Sequence, residues 1–213
     1  MSITGTFCLR LCCLPLVAFT LLAPLAPLAL RAQKDSSAYQ VIYTPPPPPT
    51  AEQRIAELPQ FQRGRLLTVA ELDAEPWYTN LRDALKNPEK VYKLSLSRNR
   101  LRGIPLEVLV LRNLQVLQLD HNRIRFLPDE LVTLQNLQEL DLLRNKLSAL
   151  PENIGQLREL TKLYLGRNRL FRFPVSIVGL RKLRVLDVTQ NPLTLHEIEF
   201  VQKRLPACRV LSN

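Results

Sequence analysis

Apolar residues recur along the second half of the chain with a period of 23 residues, beginning at Val91. In each of the four units that fill residues 91–182, positions 1, 4, 6, 11, 14, 18 and 21 are all apolar. Positions 4 and 6 alternate with mostly polar residues at positions 3, 5 and 7, and this alternation predicts a short strand with one buried face. A fifth unit starts at Leu183 and keeps the pattern as far as Leu193.

The remaining positions of the unit predict the turn and the short helical segment that come after each strand. Position 15 of the complete units is proline, which prevents a second paired strand, and positions 16–21 predict a short helical or 3₁₀ segment. Position 9 predicts a turn in which an asparagine amide bonds unpaired backbone groups. Stacked units would place these amides in a ladder formed by Asn99, Asn122, Asn145, Asn168 and Asn191.

The unit has the form L-x-x-L-x-L-x-x-N-x-L-x-x-L-P-x-x-I-x-x-L-x-x, and residues 137–159 match it at every defined position. It resembles the leucine-rich repeat in its 23-residue Leu-Pro subclass, found in Ras-suppressor-like and plant intracellular Ras-group-related proteins and in secreted bacterial proteins. The resemblance implies an α/β solenoid shaped as a short horseshoe. One curved parallel sheet would face short helices or 3₁₀ turns on the convex side. The resemblance favours a protein-binding scaffold over an enzyme, but it is specific for the fold and only weakly specific for function.

Both ends of a solenoid need caps, and the flanking sequences predict helical ones. Residues 51–90 would form the N-terminal cap, with a helix from Tyr78 to Asn87. Residues 91–193 are the repeats, and residues 194–213 the C-terminal cap. There, Thr194 begins a capping-box pattern, and Leu195 is among the residues expected to face inward from the helix. A last strand is predicted within residues 207–211.

The N-terminal segment predicts export. Residues 11–30 carry no charge and follow Arg10, which indicates a signal peptide over residues 1–32 with cleavage after Ala32. The alternative is a retained membrane anchor formed by residues 11–30. We therefore expect a periplasmic, cell-surface or extracellular protein, or a membrane-anchored one. Residues 33–50 would be a Pro-rich spacer whose five consecutive prolines act as a stiff stalk or as a docking motif.

The composition includes few residues suited to catalysis. The chain of 213 residues has a formal net charge of +10 and only two histidines. After loss of the leader, Cys208 is the one remaining cysteine, so no intramolecular disulfide is expected. We predict no metal and no cofactor, because no Cys/His cluster has ligand spacing. His121 follows Asp120, but adjacent strand residues are expected to point to opposite faces, which argues against a catalytic pair.

Two surfaces are candidate binding sites. The concave face would bind a partner protein, with Leu143 and Tyr164 as apolar anchors. The basic rim is the set of residues at positions 8 and 10, and it is either a solvated edge paired with neighbouring acids or an anion-binding stripe for lipid phosphate, acidic polysaccharide or an acidic protein. The near absence of aromatic residues on the concave face argues against nucleic acid. The concave candidates are Lys93, Ser95, Gln118, Asp120, Glu139, Asp141, Leu143, Lys162, Tyr164 and Asp187. The basic rim comprises Arg98, Arg100, His121, Arg123, Arg144, Lys146, Arg167 and Arg169.

Overall fold

The computed structural model describes residues 64–212. Within them, seven short strands form one parallel sheet in the order of the chain. The strands are β1 Trp77–Tyr78, β2 Lys93–Ser95, β3 Val116–Gln118, β4 Glu139–Asp141, β5 Lys162–Tyr164, β6 Val185–Asp187 and β7 Arg209–Leu211. The predicted leader, spacer and pentaproline lie outside the described residues.

The register of the sheet has no offset between repeats. Leu94 pairs with Leu117, Leu117 with Leu140, and Leu140 with Leu163, so equivalent positions stack directly. All four of these side chains have no exposed surface. One repeat cannot cover its own apolar side, and stacking buries a core that runs through all of them. The predicted leucine-rich-repeat solenoid, with one unclosed curved parallel sheet, is confirmed.

The segments on the other side of the core are 3₁₀ turns, which follow the proline of position 15 in three repeats. They span Pro88–Lys90, Leu106–Val110, Asp129–Thr133, Ile154–Gln156 and Val175–Gly179. Two of them approach so closely that glycine is required. A Cβ atom at Gly155 would lie 1.9 Å from the carbonyl oxygen of Ser176, and one at Gly179 would lie 2.7 Å from that of Gly155.

The asparagines of position 9 join each turn to the preceding one. The Nδ2 of Asn145 donates to the carbonyls of Leu119 in the previous repeat (2.9 Å) and Leu142 in its own (3.1 Å). Its Oδ1 accepts from the backbone N–H of Ile124, at 3.0 Å. The same arrangement recurs at Asn122, Asn168 and Asn191.

Asn99 does not extend this ladder, contrary to the prediction. It is exposed, and within residues 64–212 its side chain makes none of these bonds. The physical reason is that a ladder amide needs the turn of a preceding repeat. The strand before β2 is β1, and the chain continues from Tyr78 into the helix Leu81–Ala84 instead of into such a turn.

The N-terminal cap differs from the predicted helix. Residues 77–78 form β1, which pairs with β2, and the helix shortens to α2, Leu81–Ala84, with Asn80 as its N-cap. A second helix, which the sequence analysis missed, precedes it. This is α1, Val69–Ala74, and it begins with a capping box between Thr68 and Glu71.

The C-terminal cap contains the predicted helix and strand. Helix α3 spans Leu195–Arg204, and β7 adds a seventh strand beside β6. Thr194 caps the helix, while the Oε2 atom of Glu197 accepts from the backbone N–H of Phe173 at 2.9 Å and so fastens the helix to the fourth repeat. Leu195 is 76% exposed, so its predicted inward orientation is wrong: it lies at the first position of the helix, before the helix turns its apolar side inward.

We expect Asn145→Ala to lower the free energy of unfolding by about 2 kcal/mol, because it leaves the N–H of Ile124 without a partner. It also removes one of the two amide donors to each of the carbonyls of Leu119 and Leu142, which keep their bonds from Asn122 and Asn168. Asn99→Ala is the matched control and should change it by less than about 0.5 kcal/mol. Urea unfolding followed by circular dichroism measures both. Equal losses for the two variants would contradict the ladder as a source of stability.

Candidate functional site

Side chains at positions 3, 5 and 7 form three parallel columns on the face of the sheet opposite the core. The strand register aligns them, since Ser95, Gln118, Asp141, Tyr164 and Asp187 are successive partners. Neighbouring strands lie about 4.8 Å apart, so side chains of one column contact those of the next repeat. The columns are Lys93, Val116, Glu139, Lys162 and Val185 at position 3; Ser95, Gln118, Asp141, Tyr164 and Asp187 at position 5; and Ser97, Asp120, Leu143, Gly166 and Thr189 at position 7.

Lys93 is not accessible on this face, although it is a predicted partner-binding residue. Only 5% of it is exposed, because the N-terminal cap covers it. Its Nζ atom donates to the carbonyl oxygen of Asp73 at 3.2 Å and lies 5.3 Å from the centre of the Trp77 ring. The register that pairs Trp77 with Lys93 depends on β1, a strand that the sequence analysis did not predict.

The accessible part of the concave face is acidic. Its charged residues at positions 3, 5 and 7 are Asp120, Glu139, Asp141, Lys162 and Asp187. Lys162 pairs across strands with Glu139, with 2.9 Å between Nζ and Oε2. The hydrogen bond to Glu139 raises the pKa of Lys162, against the effect of partial burial. The remaining carboxylates on this face have no lysine or arginine partner within residues 64–212.

The pKa values of two of these carboxylates are shifted in opposite directions. Burial raises the pKa of Asp141, and the charges of Asp120 and Glu139 add to the rise, although the N–H of Leu143 donates to its Oδ1 at 2.9 Å. Burial acts in the same direction on Asp120, but hydrogen bonds from Ser97 and His121 outweigh it and lower its pKa. Asp141 is therefore the carboxylate that a nearby positive charge would stabilise most.

An apolar patch lies next to Asp141. Tyr164 is half-buried and sits in register between Asp141 and Asp187. In the neighbouring column, the side chain of Leu143 lies over Gly166: a Cβ atom added to Gly166 would be 2.8 Å from Cδ1 of Leu143. Burial raises the pKa of the Tyr164 hydroxyl, with the charge of Glu139 in support. Leu143 and Tyr164 are here called the anchor patch. The hydroxyl of Thr189 and the carboxylate of Asp187 border the buried Gly166 beside Leu143.

His121 and Asp120 are in contact, which corrects the prediction that they point to opposite faces. Nδ1 of His121 lies 2.7 Å from Oδ2 of Asp120. The strict alternation of a strand has ended by this point, because His121 has a φ of 56° and begins a left-handed turn. Ser97 also bonds Asp120, which leaves no nucleophile oriented toward the histidine among these contacts.

The basic rim lies beyond the carboxyl ends of the strands. All of its members are exposed except His121, which is half-buried. The predicted pairing of this rim with Asp120, Glu139, Asp141 and Asp187 holds only for His121 and is otherwise wrong. Those carboxylates bind serine, lysine, threonine and backbone groups instead. Arg102, Arg125 and Arg172 add to the same edge, and the sequence analysis missed them because it did not follow positions 12 and 13.

Residues 64–212 lack two further features that would indicate a function. Those residues contain no group of three or more His, Cys, Asp or Glu side chains placed to bind a metal ion. In the same range, no helix combines the length and apolar character needed to span a bilayer.

A curved parallel sheet with stacked 23-residue units, an asparagine ladder and 3₁₀ turns defines the leucine-rich-repeat class of solenoids. Residues 89–147 and 136–193 match the leucine rich repeat family model. Residues 89–193 of this chain therefore form a leucine-rich repeat domain.

Solved structures of this class resemble the chain over part of their length. A leucine-rich repeat protein of Leptospira interrogans is 34% identical with a TM-score of 0.59; the match covers 70% of this chain and 40% of that one. TLR13, from the TLR13–ssRNA13 complex, is 25% identical with a TM-score of 0.55, and the match covers 64% of this chain and 20% of that one. The chain therefore spans less than half the length of either. No curated protein matches the sequence significantly.

We expect Asp141→Asn and Asp120→Asn to have opposite effects on stability. A carboxyl whose folded pKa is raised destabilises the fold when it ionises, so Asp141→Asn should raise the free energy of unfolding at pH 7, by less than about 1 kcal/mol. The gain should vanish as the pH falls through the raised pKa toward that of an ordinary aspartate.

A carboxyl whose folded pKa is lowered stabilises the fold above its unfolded pKa. Asp120→Asn should therefore lower the free energy of unfolding at pH 7, by about 1 kcal/mol, with the loss disappearing as the pH falls through the lowered pKa. Thermal melts from pH 3 to pH 7 measure both variants. A loss of stability in Asp141→Asn at pH 7 would show that a cation already neutralises that carboxylate.

Proposed function

We propose that this protein is a non-enzymatic, exported interaction module that binds a partner protein on the concave face of its repeat sheet. The observation that carries the proposal is the anchor patch of Leu143 and Tyr164, both half-buried, with carboxylates around it. A half-buried tyrosine beside an aliphatic side chain is the kind of group on which interface energy concentrates. The 23-residue Leu-Pro subclass and export through residues 1–32 belong to the same proposal.

The charge of the face supports a particular kind of partner segment. Asp120, Asp141 and Asp187 lie around the anchor patch, and among the concave-face acids of the described residues only Glu139 has a lysine partner. An incoming apolar side chain flanked by lysine or arginine would fill the patch and neutralise these carboxylates. Such a segment would favour ionised Asp141, so affinity should rise with pH through the raised pKa of that group.

The size of the face is suited to a small domain or an extended loop. Five repeat strands at about 4.8 Å spacing give a sheet roughly 24 Å wide. A standard interface buries about 800 Å² on each partner, which is near the upper limit for this surface. The TLR13 structure contains ssRNA13 as its ligand, but the acidic concave face of this chain would repel a phosphate backbone.

We expect Leu143→Glu combined with Tyr164→Ala to abolish partner capture and to leave the melting temperature unchanged, because both side chains are partly exposed. Leu106→Glu combined with Val175→Ala is the matched control. These two residues are 51% and 74% exposed and lie at the start of 3₁₀ turns, away from the concave face.

The measurement is crosslinking of the full chain in its native cells, followed by quantitative mass spectrometry of the adducts. Proteins crosslinked by the wild-type and control chains but absent from the Leu143/Tyr164 variant would support the proposal. The same adducts in all three would contradict binding through the anchor patch.

A further inference from the structure

The loops that follow the strands carry an uninterrupted concentration of positive charge. Positions 8–13 of the four complete repeats contain three, two, two and three Lys or Arg residues, ten in all, and no Asp or Glu. We call these ten side chains the basic band. They are Arg98, Arg100, Arg102, Arg123, Arg125, Arg144, Lys146, Arg167, Arg169 and Arg172.

The basic band is exposed and uncompensated. Every one of its residues is exposed, and none forms a salt bridge with any acidic residue of the described part of the chain. Equivalent residues of successive repeats follow one another at the strand spacing of about 4.8 Å. Like charges at this spacing repel one another and build a positive potential that attracts an extended anionic surface.

The backbone shows that local folding does not favour arginine in part of this band. Arg98, Arg144 and Arg167 occupy position 8 with φ of 59°, 55° and 56°, in the left-handed region where glycine and asparagine fit best. Each costs about 1 kcal/mol in that conformation. His121 and Gln190 occupy the same position with φ of 56° and 54°, so the turn itself does not require a cation, and local backbone geometry does not explain the arginines at the other three turns.

Two aromatic rings accompany the charges. Phe126 and Phe171 are 68% and 53% exposed, although phenylalanine is usually buried. Phe126 lines an open groove of about 480 Å³ together with Arg102, Arg123, Arg125 and Lys146 of the basic band. The guanidinium of Arg172 lies 5.8 Å from the centre of the Phe171 ring. Phe126 therefore lies among four residues of the basic band, and Phe171 lies beside one.

We propose that the basic band docks on a membrane surface rich in anionic lipid headgroups, with Phe126 and Phe171 entering the headgroup region. Cations neutralise the lipid phosphates, and exposed aromatic rings gain free energy by leaving water for the acyl boundary. The function goes beyond partner capture, since it uses the loop edge of the sheet and leaves the concave face open.

A bilayer fits the arrangement better than a single-stranded nucleic acid does. Strand-binding proteins stack successive bases on successive aromatic side chains. Here the rings belong to the second repeat at position 13 and to the fourth repeat at position 12, whereas the first and third repeats have no aromatic residue at either position.

The test is co-sedimentation of the full chain with vesicles of phosphatidylcholine, alone or with 30 mol% phosphatidylglycerol. The band variant is Arg123→Gln, Lys146→Gln and Arg169→Gln. Its control is Arg158→Gln, Arg181→Gln and Arg184→Gln, which removes the same charge from exposed residues at the opposite edge of the sheet. Residues 11–30 are identical in all chains, so the difference between the two vesicle types isolates the charge-dependent binding.

Three lost contacts with lipid charge should weaken the phosphatidylglycerol-dependent binding of the band variant by about 100-fold, and the control by less than about threefold. Raising the salt from 0.05 to 0.5 M should weaken binding of the wild type more than that of the band variant. Equal losses in the band variant and its control would overturn the proposal, because they would reflect net charge rather than this surface.

A second variant separates the bilayer from other polyanions. Phe126→Ser with Phe171→Ser should reduce vesicle binding by about tenfold and leave binding to poly(U) unchanged. Poly(U) binding with no response to phosphatidylglycerol would overturn the membrane assignment in favour of nucleic acid. Unchanged melting temperatures of the wild type and all three variants confirm that each comparison concerns folded protein.

Discussion

The buried amide of position 9 is the constraint on which the rest of this molecule depends. Each of the four ladder asparagines satisfies carbonyls of its own turn and of the preceding one, and accepts an N–H from the preceding repeat. These bonds allow one relative placement of neighbouring repeats. The direct register of the strands follows, and with it the stacking of leucines on one side and of three columns of functional side chains on the other.

The same constraint separates two surfaces of opposite charge. Carboxylates concentrate on strand positions that face the concave side, while cations concentrate in the loops after the strands. Because the left-handed turn at position 8 lies between them, strand and loop side chains leave the backbone in different directions. An acidic face and a basic edge therefore coexist in one 23-residue unit without pairing, apart from the contact between His121 and Asp120. A partner segment and a lipid surface would then not compete for the same residues.

The repeat pattern predicts most of the fold, because periodic residues fix strand positions, burial and the asparagine ladder. It fails where the period stops. Nothing periodic precedes Val91, so α1, β1 and the burial of Lys93 beneath Trp77 depend on contacts that only the folded chain reveals. Asn99 and His121 were misjudged for local reasons. Asn99 lacks a preceding turn to which it could bond. His121 has a left-handed backbone conformation, which the alternation of strand side chains does not describe. The sequence predicts Leu143 and Tyr164 as anchors, but it does not predict the close approach of Leu143 to Gly166.

The identical bonds between repeats also determine how such a chain is able to change its length. An insertion of one residue would move an amide out of reach of its carbonyls and shift every later side chain to a different column. An insertion of 23 residues would preserve each bond and each column. The protein can therefore grow or shrink only in whole units, and every added unit lengthens the concave columns and the loop edge together. The length of the concave face and the number of basic residues at the loop edge therefore change together.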